Sequence, residues 1–397
     1  MRKHNILVVD DTVANLRLLS TMLSEQGYKV RSVVNGPMAL TAARSAPPDL
    51  ILLDINLPDM NGYQVCQELK DDQRTHDIPV IFISALDETV DKVKAFAVGG
   101  VDYITKPFQF EEVLARVKTH LALRSLQQEL EKQVTALRVL TARLQSDLAL
   151  ARDIQQSLLP PPSPAWPGLE VVCYSRSARE VGGDFYSYHV SPALSPSSNG
   201  AQGERFGLAV GDVSGKGVSA ALLMATSLSL FGSTLSENLS PDRLLLQLDR
   251  ALVPYTRPRR QNCALCYVTL EADRLRAVNA ACIPPYIRRA GGHLEWLDIG
   301  GFALGQGLGI QGGYQEVCLT LSPGDLVILT SDGVVEAKNI HDEMFGFERL
   351  EQAIAAGPTA SAQAMLDHLL AEIETFTGDT EPHDDMTLAL MRLEREK

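Results

Sequence analysis

Along residues 1 to about 120, short unbroken apolar runs alternate with stretches whose apolar residues recur every three or four positions. The runs are NILVVDD, KVRSVV, LILLDI, PVIFISA and DYITKPF. A short run that is apolar on both alternating faces reads as a strand buried on both sides. Between the first two runs, TVANLRLLSTMLSEQG places Leu16, Leu19 and Leu23 on one helical face and reaches Gly27, a residue suited to stop a helix. Buried strands alternating with helices predict an α/β doubly wound domain built on a five-stranded parallel sheet. Functional groups in such sheets gather beyond the carboxyl ends of the strands.

The pattern then changes. Residues 109–158 contain no proline or glycine, and every seventh residue from Leu123 is apolar: Leu130, Leu137, Leu144, Ala151 and Leu158. The companion positions are Leu126, Gln133, Leu140, Asp147 and Ile154. This heptad seam predicts a long coiled-coil helix and a parallel homodimer, weakened at Gln133 and Asp147. The alternative is an amphipathic helix that folds back on its own chain. LLPPPSPAWPG, residues 158–168, ends the helix, because proline removes its hydrogen bonds. Beyond it, FGLAVGD, CALCYVTLE, LRAVNA, DLVILTSDG and MTLALMRL read as strands, with helical stretches near 217–234, 240–254 and 359–376. These predict an α+β sandwich of antiparallel sheets with helices outside. Residues 191–203, SPALSPSSNGAQG, read as a disordered loop. The expected divisions are a first domain at 1–121, a coiled-coil helical linker at 122–159 and a second domain at 160–397.

A chain of 397 residues is too long for one ordinary domain, which agrees with that division. A net charge of −13 argues against a nucleic-acid partner, whose phosphates would repel it. By this reading no apolar run approaches a membrane span, and the apolar part of MRKHNILVVDD is too short for a signal peptide. The expectation is a cytoplasmic protein with no membrane partner. Six cysteines suggest no disulfide framework. Cys263 and Cys266 lie three apart in a strand, face opposite sides and read as packing residues.

Candidate chemistry sits at strand ends. Asp10 and Asp11 close the first run, Asp54 the third, Ser84 the fourth, and Lys106 precedes Pro107 after the fifth. Three carboxylates brought together repel unless a hard cation neutralises them, and oxygen ligands suit Mg²⁺. A lysine and a hydroxyl beside them make sense if a phosphoryl group sits there. On the motifs VVDD, LLDINLPDMNG, ISA and YITKPF, the segment resembles response-regulator receiver domains over its full length. The resemblance implies that Asp54 accepts phosphate from a histidine kinase. It implies that Asp10, Asp11, Asp54 and the Asn56 carbonyl hold Mg²⁺, that Ser84 and Lys106 bind the phosphoryl oxygens, and that Tyr103 moves with them.

In the second half, AVGDVSGKGVSAALLMA invites comparison with a phosphate-binding loop. The spacing fails: Gly211 has only three residues before Gly215, and Gly217 replaces the hydroxyl residue after Lys216. What remains is a strand ending at Asp212. Asp184 in VGGDFYSYHV, Asp332 in LVILTSDGVVEAKN, and Asp384 and Asp385 in EPHDDMTLALMR have similar settings. Carboxylate and backbone oxygens suit Mg²⁺ or Mn²⁺, not zinc. Two such ions can activate a water for attack on phosphorus. On GGDF, GDVSGKGVSAALLMA, SDGVVEAKN, FGFERL and DDMTL, the chain from about residue 168 resembles the PPM (type 2C) serine/threonine phosphatases, in their SpoIIE/RsbU-like branch. The resemblance implies two Mn²⁺ or Mg²⁺ ions, bridged by Asp212 and further held by the Val213 carbonyl, Asp332, Asp384 and Asp184. Asp385 varies in that family. Where the family often has N-A-G-H-P-P, this chain has NAACIPP, so Ala281 and Cys282 imply altered substrate contacts.

ARDIQQSLLP, residues 151–160, matches the family's helical lead-in and is expected to couple the two halves. The implied substrate is a phosphoserine or phosphothreonine on an anti-sigma-factor antagonist. The competing expectation is a non-catalytic adaptor that binds a sigma-factor regulator. His383, Arg257, Arg259 and Arg260 read as surface-loop residues, and VSAALLMATSLSL as a buried helix.

Overall fold

In the first half, β1 (Asn5–Val9), β2 (Lys29–Val33), β3 (Leu50–Asp54), β4 (Val80–Ser84) and β5 (Asp102–Thr105) pair in parallel in the order β2-β1-β3-β4-β5. The computed structural model describes residues 3–84, 89–194 and 203–394 and divides into two units, Met1–Ala142 and Arg143–Lys397. The central strands β1, β3 and β4 are apolar on both faces because each feeds two cores. Leu7, Val9, Ile51 and Leu53 pack toward α2 (Gly36–Ser45) and α3 (Gly62–Asp71). Ile6, Val8, Leu50 and Leu52 pack with α1 (Val13–Glu25), whose Leu16, Leu19 and Leu23 are buried. A fourth helix, α4 (Thr89–Ala97), precedes β5. The order reverses at β1, so the carboxyl ends of β1 and β3 lie side by side.

Helix α5 runs from Phe110 to Leu158. Its first turns bury Val113, Leu114, Val117 and Leu121 against the receiver sheet. From there Leu123, Leu126, Leu130, Leu137, Leu140, Leu144, Ile154 and Leu158 are 44–68% exposed. The heptad face is thus uncovered in the described chain.

The second unit stacks two antiparallel sheets. One has the order β14-β11-β10-β9-β8, from β8 (Phe185–Pro192), β9 (Glu204–Val213), β10 (Cys263–Glu271), β11 (Arg274–Ala280) and β14 (Glu316–Thr320). The other has the order β13-β12-β15-β16-β7-β6, from β6 (Ala165–Trp166), β7 (Leu169–Arg176), β12 (Tyr286–Arg288), β13 (Leu294–Trp296), β15 (Leu326–Thr330) and β16 (Met386–Leu393). Val210, Cys266, Val268, Val327, Leu329 and Ala389 fill the space between them. Helices α6 (Val218–Leu235) and α7 (Pro241–Thr256) cover the first sheet. After the short α8 (Gly309–Gly312), α9 (Gly346–Ala356) and α10 (Ala362–Thr377) cover the second. The expected sandwich with outer helices is the observed one.

Three expectations need correction. Helix α9 has only three buried positions, Leu350, Ala353 and Ile354, too few to make its period legible in the sequence. Helix α6 is 18 residues long with mean hydropathy 1.6, long and apolar enough to cross a membrane by length and composition, against the expectation that no run was. Its Ala220, Leu223, Met224 and Phe231 lie in the domain core. Ser191 and Pro192, assigned to a disordered loop, belong to β8; residues 195–202 of that segment lie outside the described residues. Cys263 faces α6 and α7 while Cys266 lies between the sheets, on opposite sides as expected.

Candidate functional site

The strand ends of the first unit bring Asp10, Asp11 and Asp54 together. Their ligand oxygens all lie within 4.8 Å of one another, the one group of three this close among the described residues. Asp10 and Asp54 are buried and Asp11 is exposed. Asp10 is fixed by Thr12 N–H at 2.9 Å and by Asn15 Nδ2, 3.0 Å from both carboxylate oxygens. Lys106 Nζ lies 2.8 Å from Asp10 Oδ2 and 2.7 Å from Asp54 Oδ2. Burial pushes the Asp54 carboxyl above its usual range and Asp10 adds to this, with Lys106 opposing. The Asn56 N–H donates to Asp54 Oδ1 at 3.3 Å. Ser84 ends β4, and its carbonyl accepts from Lys106 N–H at 2.7 Å. Tyr103 on β5 meets Phe96 edge-on at 6.3 Å between ring centroids. Clustered carboxylates of this kind fit a hard divalent cation, which would neutralise them.

In the second unit both sheets deliver carboxylates. Asp184 precedes β8 and Asp212 sits near the end of β9; the two strands pair with Phe185 opposite Gly211. Asp332 follows β15, and Asp384 and Asp385 precede β16, the partner of β15. Ser331 joins the two sheets: its hydroxyl donates to Asp184 Oδ2 at 2.6 Å and accepts from Thr387 N–H at 2.9 Å. Burial, then repulsion from Asp332 with smaller contributions from Asp384 and Asp385, pushes the Asp212 carboxyl up to about 7. Burial and Asp212 raise Asp184 well above the carboxylate range. Burial, Glu336 and Asp384 raise Asp332. Asp184, Asp212, Asp332 and Asp384 therefore sense one another, though they form no group as tight as the receiver's. Their all-oxygen donor set, with the Val213 carbonyl alongside, fits Mg²⁺ or Mn²⁺.

Lys216, from the turn that mimics a phosphate loop, pairs with Asp384 Oδ2 at 2.8 Å and donates to the His383 carbonyl at 2.6 Å. Asp385 turns the other way: it accepts from Ala178 N–H at 2.8 Å and Gly183 N–H at 2.6 Å. A Cβ on Gly182 would meet that carboxylate at 2.3 Å, and one on Gly183 would meet the Val213 carbonyl at 2.5 Å, which explains the paired glycines. The structure thus adds Ser331, Lys216 and Gln155, whose side chain binds Gly182, to the residues expected from sequence. A cavity of about 180 Å³ opens beside the carboxylates, lined by Asp212, Asp332, Ala281, Cys282, Trp296 and Phe347 among others. His383, Arg257, Arg259 and Arg260 are exposed, as expected for surface positions.

A pH dependence follows. Asp212 holds its proton more tightly folded than unfolded, so the metal-free chain loses stability as pH rises from about 4, the unfolded value, through about 7. Divalent ions need ionised ligands and relieve their repulsion. The rise in Tm on adding Mn²⁺ should therefore be larger at about pH 8 than at about pH 5. Equal shifts in a thermal melt at the two pH values would contradict this.

The family described as "Response regulator receiver domain" matches residues 6–118, and the family described as "Stage II sporulation protein E (SpoIIE)" matches residues 202–394. The DNA-binding dual master transcriptional regulator RpaA of Synechocystis sp. is 46% identical over 116 residues, 29% of this chain and 48% of that protein. Response regulator PleD of Caulobacter vibrioides is 41% identical over 128 residues, 32% of this chain and 28% of that protein. The chain therefore spans about half or less of these curated relatives, with the similarity confined to about a third of its own length. Among solved structures, the SiaA-PP2C domain of Pseudomonas aeruginosa shares the fold, with TM-score 0.53 and 20% identity over 64% of this chain and 98% of that one. On these matches the chain joins a response-regulator receiver domain at residues 6–118 to a SpoIIE domain at residues 202–394, the latter with the fold of a PP2C domain.

Proposed function

We propose that phosphorylation of Asp54 controls a metal-dependent phosphoserine/phosphothreonine phosphatase formed by the second unit. The observation that carries the reading is the convergence of Asp184, Asp212, Asp332 and Asp384 from the ends of both sheets, with burial and neighbouring carboxylates (Asp332 for Asp212, Asp212 for Asp184) driving Asp212 and Asp184 above the carboxylate range. Asp212, Asp184, Asp332, Asp384 and the Val213 carbonyl would hold two Mn²⁺ or Mg²⁺ ions. The bound ions supply an activated water and neutralise phosphoryl oxygens. Ser331 orients Asp184, and Lys216 holds Asp384 at the rim. The 180 Å³ cavity beside Asp212 and Asp332 would receive the phosphorylated side chain, with Cys282 in its wall.

In the receiver, Asp10, Asp11, Asp54 and Asn56 would hold Mg²⁺, with Ser84, Tyr103 and Lys106 reading the phosphoryl group. A histidine kinase is the phosphodonor in this reading, and an anti-sigma-factor antagonist the substrate. Residues 1–121, 122–159 and 160–397 act as receiver, linker and phosphatase. The test is hydrolysis of p-nitrophenyl phosphate by the full chain with and without Mn²⁺, before and after beryllofluoride. Mn²⁺-dependent turnover that changes with beryllofluoride supports the reading, and turnover indifferent to both sinks it.

The exposed heptad face of α5 suits a second copy of this helix. Leucine burial contributes about 2 kcal/mol per side chain, and Leu130, Leu137 and Leu144 fall in one column. Replacing Leu137 and Leu144 with Asp should convert a dimer into a monomer by light scattering. An unchanged mass would place the dimer contact elsewhere.

A further inference from the structure

We infer that Gln155, on the long helix, is a positioning residue for Asp184. The inference rests on the phosphatase reading above. Gln155 is only 8% exposed, although its neighbour Ile154 is 56% exposed. Its carboxamide makes a two-point pair with one residue: Nε2 donates to the Gly182 carbonyl at 2.6 Å, and Oε1 accepts from the Gly182 N–H at 3.1 Å. A strand neighbour would satisfy a backbone in the same way, but residues 177–184 belong to no strand. One turn earlier, Arg152 Nε donates to the Glu180 carbonyl at 2.7 Å. On its other side the segment hangs on Asp385, through the N–H groups of Ala178 and Gly183. Asp184 follows directly, its carboxylate accepting from the Ser331 hydroxyl at 2.6 Å.

The carboxylate's placement thus depends on a helix residue 29 positions earlier in the chain. The carboxamide serves both halves of the pair because it offers one donor and one acceptor at once. Leucine offers neither. Glutamate keeps the acceptor for Gly182 N–H but turns a second acceptor onto the Gly182 carbonyl. Either change frees the segment that aims Asp184.

The test uses the full chain carrying Asp10→Asn and Asp54→Asn, which removes the receiver's own ligands. Mn²⁺ affinity is measured by calorimetry for this parent and for added Gln155→Leu or Gln155→Glu, with folding checked by circular dichroism. Partners that orient metal ligands are worth about 10- to 100-fold in affinity, and both variants should lose that much. Their p-nitrophenyl phosphate turnover should recover at saturating Mn²⁺, which a general packing defect would not allow. A folded variant with the parent's Mn²⁺ affinity overturns the inference. If Gln155→Leu does not fold, the isosteric Gln155→Glu decides alone. Asp212→Ala reports on the metal site itself: should it bind Mn²⁺ as tightly as the parent, the phosphatase reading fails whatever Gln155 does.

Discussion

Asp212→Ala should abolish Mn²⁺-dependent hydrolysis of p-nitrophenyl phosphate while leaving the fold intact, and should stabilise the metal-free chain near neutral pH. The two effects share one cause. Asp212 lies half-buried beside Asp184, Asp332 and Asp384, and its carboxyl is raised to about 7. Folding therefore works against its ionisation, and alanine removes that cost. The position is also one no neighbour can replace. Asp184 is committed to Ser331, Asp384 to Lys216, and Asp385 to the backbone of Ala178 and Gly183. Outer partners of metal ligands already cost up to about 100-fold when removed, so removing a ligand itself should cost more. Rates should be taken across a Mn²⁺ series, so that weakened binding is distinguished from lost chemistry. A variant that turns over at the wild-type rate would move the metal site away from β9.

The receiver was legible because its signal is redundant. Strands β1, β3 and β4 are apolar on both faces, and each ends at or runs directly into a polar residue that the parallel topology collects at one edge. The sandwich was legible in β9, β10, β11, β15 and β16, but β12 and β13 have three residues each and show no period. The carboxylates of the second unit could be named from sequence, but their orientations could not. Asp384 and Asp385 are adjacent at a strand entrance, where successive side chains point to opposite sides. One faces Lys216, and the other turns back to hold the Asp184 segment. Gln155 carried no local signal. It reads as one more polar residue on an amphipathic helix, and its partner is 27 positions away. Lys216 was visible, but its meaning depended on a carboxylate 168 positions later in the chain.

Asp54→Asn should abolish labelling by a small-molecule phosphodonor such as acetyl phosphate, and the labelled site in the wild type should map to Asp54. The geometry leaves no substitute acceptor. Asp10 is enclosed by Thr12, Asn15 and Lys106, and Asp11 is exposed at the rim. Asp54 ends the central strand β3 and meets Lys106 at 2.7 Å, without the Thr12 and Asn15 contacts that hold Asp10. The substitution should also have a thermodynamic signature. Burial raises the Asp54 carboxyl despite Lys106, so its ionisation opposes folding above the unfolded value of about 4. An amide is neutral at every pH, so without Mg²⁺ the variant should be at least as stable as wild type near pH 7. With Mg²⁺ the order should reverse, because only the wild type presents three carboxylates to the ion. Thermal melts with and without Mg²⁺ measure both. Undiminished labelling of the variant would place the acceptor outside this cluster, and an unaltered Mg²⁺ shift would show that Asp54 is not among its ligands.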